Sequence, residues 1–167
     1  MSDLRLDAVL IPLRTTDALL LPNLAVLDVL GNTELAAAAS SVPGWLAGHC
    51  DWQGQRVPVI RFEQFVPTPL PVDADIPPRR ERIVILQGLS LPLAEDTEEG
   101  APVTGRLFGV ISVGHPHMVT VNRMAIAAAP AQPGDATARV LSRVRLANRA
   151  AVIPDLAGID AQLAVLP

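Results

Sequence analysis

Apolar residues in this chain come in short runs separated by turn-forming residues. Residues 8–13 (AVLIPL), 56–62 (RVPVIRF), 82–89 (RIVILQGL), 106–114 (RLFGVISVG) and 118–122 (MVTVN) are each of strand length. The run 18–30 (ALLLPNLAVLDVL) is broken in its middle by Pro22-Asn23, and RVLSRVRLANRAAVI at 139–153 precedes a last apolar segment, IDAQLAVL. Runs of this size and spacing predict an all-β barrel or sandwich. The 16 prolines agree, because proline interrupts helices and avoids central strand positions. Pro58 inside RVPVI therefore predicts an edge strand or a bulge there.

Two segments carry a helical pattern. NTELAAAASS offers Thr33 as an N-cap, Glu34 in the first turn and an alanine run, in competition with an irregular loop. GIDAQLAVL predicts a short C-terminal helix capped near Asp160, or begun one turn earlier at Pro154-Asp155. Residues 67–80 (PTPLPVDADIPPRR) read as an extended connector between two halves. Residues 127–138 (AAAPAQPGDATA) read as a loop. Glu95, Asp96, Glu98 and Glu99 sit in one short acidic segment that reads as a solvated hairpin tip, with a partner-facing loop as the alternative. The chain also echoes itself: RVPVI (56–60) resembles RAAVI (149–153), and 18–30 resembles 106–119, each pair lying about 90 residues apart. Such self-similarity can signal duplicated small barrels.

Composition narrows the function classes. Half of the 167 residues are hydrophobic and 3% are aromatic, with no Tyr, so the core is aliphatic. Thirteen basic against 17 acidic residues give a net charge of −4, and the arginines are scattered. That argues against a nucleic-acid surface, which needs clustered positive charge and stacking aromatics. A lone cysteine forms no internal disulfide. The first residues lack a signal-peptide layout, and no apolar run reaches the roughly 20 residues of a membrane span. The expectation is a soluble cytoplasmic protein.

Candidate chemistry is sparse. His49-Cys50-Asp51 places a thiol beside an imidazole, but adjacent strand residues point to opposite faces. A Cys–His pair would need His115 or His117 from elsewhere. His115-Pro116-His117 has alternate-residue ligand spacing, but the proline bends the chain and no acidic or thiol partner sits nearby, so a turn between strands is the simpler reading. No phosphate-cradling glycine loop and no nucleophile elbow occur. The expected cofactor set is none, the expected metal none, and no catalytic residue is assigned.

The stretch PGWLAGHCDWQGQRVPVI, from Pro43 to Ile60, reads instead as strand, tight turn at Gln53-Gly54-Gln55, and strand. Gly54 sits where positive φ costs little. Trp52 lies beside that turn, where a half-exposed ring is suited to anchoring a protein contact; capping a barrel end is the alternative for it and for Trp45. This stretch resembles the signature hairpin of the CheW family of chemotaxis adaptors. The resemblance extends in order along most of the chain: VLDV at 26–29 is similar to an early V-x-E segment, RIVILQGL and GRLFGVISVGHPHMVTVNRMAI to a later strand pair, and RAAVIPDLAGIDAQL to a closing strand and helix.

That resemblance implies both a fold and a role. The fold would be mainly β, with two small five-stranded SH3-like barrels around a shared apolar core and a short C-terminal helix, within one domain of two subdomains joined near 67–80. The protein would not be an enzyme. It would couple a chemoreceptor tip to the regulatory domain of a CheA-like histidine kinase, with other CheW-like proteins as further partners and no insertion into the membrane. Partner-binding positions would be Val26, Asp28, Gly48, Asp51, Trp52, Gln53, Gly54 and Pro58. Gln53 stands where the family usually has an arginine, Trp52 where an aliphatic residue is common, and Arg61 where an acidic residue is usual. Gln keeps hydrogen-bonding capacity but loses the bidentate charged fork. Such departures are similar to those of ChpC-like accessory adaptors in type IV pilus (twitching) systems. The competing readings are a small thiol-dependent β-barrel enzyme or redox sensor using Cys50, and a purely structural assembly barrel.

Overall fold

The computed structural model describes residues 5–13, 18–31, 35–37, 44–65, 81–89, 104–130, 140–146 and 149–164. Among these residues it is mainly β, with two six-stranded sheets and one α-helix. In sheet 1, β1 (Leu6–Pro12) pairs antiparallel with β2 (Ala18–Pro22). A one-turn 3-10 helix at Asn23–Ala25 then carries the chain into sheet 2. That sheet holds β3 (Val26–Gly31), β4 (Ala36–Ala37), β5 (Leu46–Trp52), β6 (Gln55–Ile60), β7 (Arg82–Leu89) and β8 (Thr104–Ser112). The chain returns to sheet 1 as β9 (His117–Val121), β10 (Ile126–Ala129), β11 (Val140–Leu146) and β12 (Arg149–Pro154), and ends in α1 (Leu156–Ala164). The Pro22-Asn23 interruption is thus a crossing between sheets. The break at 113–116 is the reverse crossing, held by the Val113 N–H donating to Pro12 O at 3.0 Å.

The pairing plan repeats. Sheet 2 runs β3-β7-β8-β6-β5-β4 and sheet 1 runs β9-β1-β2-β12-β11-β10. In each, one parallel pair lies in the middle: β6 with β8 through Val59↔Gly109, and β12 with β2 through Ala151↔Ala18. Strands β1–β6 therefore correspond to β7–β12, and each opening strand pair sits in the other half's sheet. The sequence echo falls on equivalent strands, β6 with β12 and β2–β3 with β8–β9.

Strand alternation divides the apolar residues among three cores. β1 sends Val9 and Ile11 between the sheets but Ala8 and Leu10 to the inside of sheet 1. β7 sends Val84 and Leu86 between the sheets but Ile83 and Ile85 to the inside of sheet 2. Both faces are buried, which is why these strands read as continuous apolar runs rather than alternating ones. Between the sheets, α1 adds Leu156, Ile159 and Leu163, one helical face at i, i+3 and i+7. Asp155 caps that helix by accepting the Gly158 N–H at 3.0 Å, so it starts at the earlier of the two expected points. Asp160 ties it down by accepting the Arg106 N–H at 2.7 Å.

Several expectations are corrected. The described part of NTELAAAASS, Leu35–Ala37, is not helical: Ala36–Ala37 form a short strand paired with Gly48 and His49. Tertiary pairing overrides the alanine helix propensity. Residues 126–129, expected in part as loop, form β10 because β11 pairs with them. Pro58 lies in an interior strand between β5 and β8. It is tolerated because pairing with β8 starts only at Val59, and because the β5–β6 register shifts close by, between Leu46 and Gly48. The segment 67–80 lies outside the described residues; both strands flanking it, β6 and β7, belong to sheet 2. The acidic positions 95–99 also lie outside them. Among the described residues, no helix is long and apolar enough to cross a membrane.

Candidate partner-binding site

Sheet 2 curls enough to bring a β5 side chain onto β3. β3 is one edge of the sheet and β5 lies near the other. Yet Trp52 Nε1–H on β5 donates to Asp28 Oδ2 on β3 at 2.9 Å. The second carboxylate oxygen of Asp28 accepts the Val29 N–H at 2.8 Å. The carboxylate is thus held from two sides by N–H donors. Trp52 is half-buried against the inner core of sheet 2, with its N–H end at the rim. This is the amphipathic use of a tryptophan: apolar body inward, polar tip satisfied at the edge.

The turn beside it has the geometry that hairpin twist favours. Trp52 pairs with Gln55, leaving Gln53-Gly54 as a two-residue loop with φ of +48° and +77°. Positive φ at both positions is the type I′ requirement. Gln53 is a non-glycine residue in the left-handed region, so its side chain is projected from a tightly defined exposed tip. Asp51 and Arg56 face each other across the hairpin, both exposed.

The remaining expected positions do different work. Val26 is half-buried and packs against the core between the sheets. Gly48 is buried at φ +155°, and a Cβ there would collide with the Ala36 carbonyl; its bareness lets β4 lie against β5. Pro58 is half-buried opposite His49. Cys50 is buried in the inner core of sheet 2 with Val57, Val59 and Ile83. His49 and Asp51, its chain neighbours, lie on the opposite face, and His115 and His117 are exposed near the start of β9 in the other sheet. Burial, then the Arg56 guanidinium, holds the His49 imidazole below the usual histidine range. Among the described residues, no group of three His, Cys, Asp or Glu side chains could hold a metal ion.

The face also contains residues that the sequence reading missed. A bulge in β3 between Val26 and Asp28 leaves Leu27, Asp28 and Val29 exposed in succession. Leu24, just before the strand, is 91% exposed. Leu24, Leu27 and Val29 flank the Asp28–Trp52 contact with apolar surface at an open sheet edge. Their only signal in the sequence was an apolar run, which reads as core unless the bulge is known.

No family model matches the chain, and no curated protein matches it. Among solved structures, the chain is similar to the crystal structure of the scaffolding protein TtCheW from Thermoanaerobacter tengcongensis. The two are 17% identical, 90% of this chain and 89% of that chain are covered, and the TM-score is 0.62. At that identity the likeness speaks for the fold: this chain has a CheW-like fold along nearly its whole length.

Proposed function

We propose that this chain is a non-enzymatic adaptor that holds a chemoreceptor tip and the regulatory domain of a CheA-like histidine kinase in fixed relative geometry. The observation that carries the reading is the β3 edge, with Leu24, Leu27 and Val29 exposed around an Asp28–Trp52 latch, on a fold shared with a scaffolding protein. An open strand edge with apolar side chains and a satisfied carboxylate suits protein contact rather than catalysis. Val26 anchors this edge to the core between the sheets, Gly48 lets β4 lie against β5, and Asp51, Gln53 and Gly54 form the hairpin tip beside the edge, with Pro58 in the same hairpin. An adaptor of this kind transmits signal because each bound partner biases the other's conformation.

The departures at Trp52 and Gln53 support a partner unlike the usual one, in keeping with an accessory adaptor of a type IV pilus system. The tip lacks the charged fork, and Asp28 is already engaged by the indole, so recognition here rests on shape and apolar area. Other CheW-like chains are further candidate partners, and the cytoplasm is the compartment that this role implies.

The test is binding of the purified chain to two fragments, the kinase regulatory domain and the receptor tip, by biolayer interferometry. Binding to at least one is expected, with Leu27→Glu weakening it at least about tenfold while leaving thermal stability unchanged. Absence of binding to both fragments would sink the proposal. Gln53→Arg sharpens it: tighter receptor binding marks the usual partner, and weaker binding marks an altered one.

A further inference from the structure

The β5–β6 and β11–β12 hairpins hold equivalent places in the two sheets. Their last pairs have the same spacing in the chain, Trp52↔Gln55 in sheet 2 and Leu146↔Arg149 in sheet 1. Trp52 and Leu146 each pack against the inner core of their own sheet. In sheet 2 the indole reaches from the hairpin to β3, where its N–H meets Asp28. The counterpart of β3 in sheet 1 is β9. Between β9 and Leu146 there is a groove of about 370 Å³ where sheet 2 has a ring. A leucine is too short to span what an indole spans, so the gap stays open.

The lining suits a ring. Leu10, Val119, Val121 and Leu146 give the groove apolar walls. Arg149 also lines it and is exposed, at the place where sheet 2 has the uncharged Gln55. A guanidinium is attracted to the negative face of an aromatic ring and stacks on it, and an aliphatic molecule offers it no such face. Met124, on the same lining, is 91% exposed, and thioether sulfur makes favourable contacts with aromatic rings. The groove volume falls within the range of about 300–1,000 Å³ in which proteins hold small ligands.

We propose that this groove binds a small aromatic molecule of the indole class, whose ring takes the place that Trp52 takes in sheet 2 and lies against Arg149. The groove belongs to sheet 1 and the Asp28–Trp52 contact to sheet 2, so the proposal does not rest on the adaptor reading.

The experiment is an NMR titration of the full chain with indole and with cyclooctanol, an uncharged aliphatic probe of similar size. Saturable shifts are expected at Val119–Ala125, Leu146 and Arg149, with indole binding about fivefold tighter than cyclooctanol. Arg149→Gln, which copies Gln55 at an exposed position, should remove that preference. Leu146→Trp, which copies Trp52, should fill the groove from within. It should weaken indole binding at least about tenfold and raise the melting temperature. Equal affinity for the two probes, shifts centred on β3, or indole binding undiminished in a folded Leu146→Trp variant would overturn the proposal. If Leu146→Trp does not fold, the Arg149→Gln comparison decides: an indole preference that survives it refutes the site. Self-association in sedimentation velocity that Leu146→Trp abolishes would give the groove to a second copy and refute a small-molecule ligand.

Discussion

Inside sheet 2 the strands turn Cys50, Val57, Val59, Ile83, Ile85 and Ile111 toward one another, and all are nearly inaccessible. Inside sheet 1, on the same strand plan, the corresponding layer holds Ala8, Ala18 and Ala151 with Leu10, Leu20, Val121 and Val144. Most of these retain a little exposure, and clefts of about 370 and 250 Å³ open onto them. At its rim, sheet 2 is bridged by the Trp52–Asp28 hydrogen bond, whereas the described end of the sheet 1 strand pair, Leu146 and Arg149, borders a groove. Among the described residues, one topology has therefore left the inner side chains of sheet 2 almost inaccessible and those of sheet 1 bordered by clefts. Side-chain volume contributes: in the matching parallel pairs Ala151 stands in sheet 1 where Val59 stands in sheet 2. A packed interior near organic-crystal density holds an edge rigidly, and an underfilled one leaves room for something else.

The sharpest test of this contrast is Gly48→Ala. Its Cβ collides with the backbone of Ala36 at a positive φ, so a loss of about 3 kcal/mol or more is expected, read as a drop in the urea midpoint. Next comes a matched pair. Gly109→Ala puts a methyl group 2.8 Å from Ile83 Cγ2 and 3.2 Å from Val59 Cγ2, and should cost about 1–3 kcal/mol. Ala8→Val points new volume into the 250 Å³ cleft of sheet 1 and should change stability by less than about 0.5 kcal/mol. Equal costs for the pair would mean that both interiors are filled alike, and the contrast would collapse.

A smaller effect tests the rim. Trp52→Phe keeps an aromatic ring and removes the N–H donor to Asp28, with an expected loss of about 1 kcal/mol in thermal or urea unfolding. Asp28→Asn should fall in the same range, and the double variant should cost less than the sum. The smallest effect is a pH dependence at His49. Its folded-state pKa lies below the unfolded value of 6.5, so below about pH 6.5 the unfolded chain takes up more protons. Stability is unaffected above that pH, falls as pH drops through 6.5, and levels off below the folded pKa. His49→Gln should flatten that slope in pH-resolved unfolding curves, and an unchanged slope would place its origin elsewhere.

Much of the architecture was legible in the residues. Short apolar runs located the strands because a strand buried on both faces has to be apolar throughout, and Pro22-Asn23 marked a true crossing because proline cannot continue a ladder. Asp155 was readable as a helix start, since its side chain can cap the first turn after it. The hairpin from Leu46 to Ile60 came from Gly54 and the alternation around it, and the same alternation separated Cys50 from His49. Other features were out of reach. Ala36–Ala37 and Ile126–Ala129 are strands only because β5 and β11 supply their partners. Leu27 and Val29 are exposed only because a bulge lies before Asp28.

The sequence by itself determined the β class, the places where the chain must turn, and the internal repeat, because these depend on local sterics and on residue spacing. The tertiary structure alone decided which strands exchange between halves and that Trp52 reaches Asp28 across a curled sheet. It also decided that clefts open onto the inside of sheet 1. Those outcomes depend on side chains distant in sequence meeting in space, where volumes and hydrogen-bond geometry, rather than local propensity, select the arrangement.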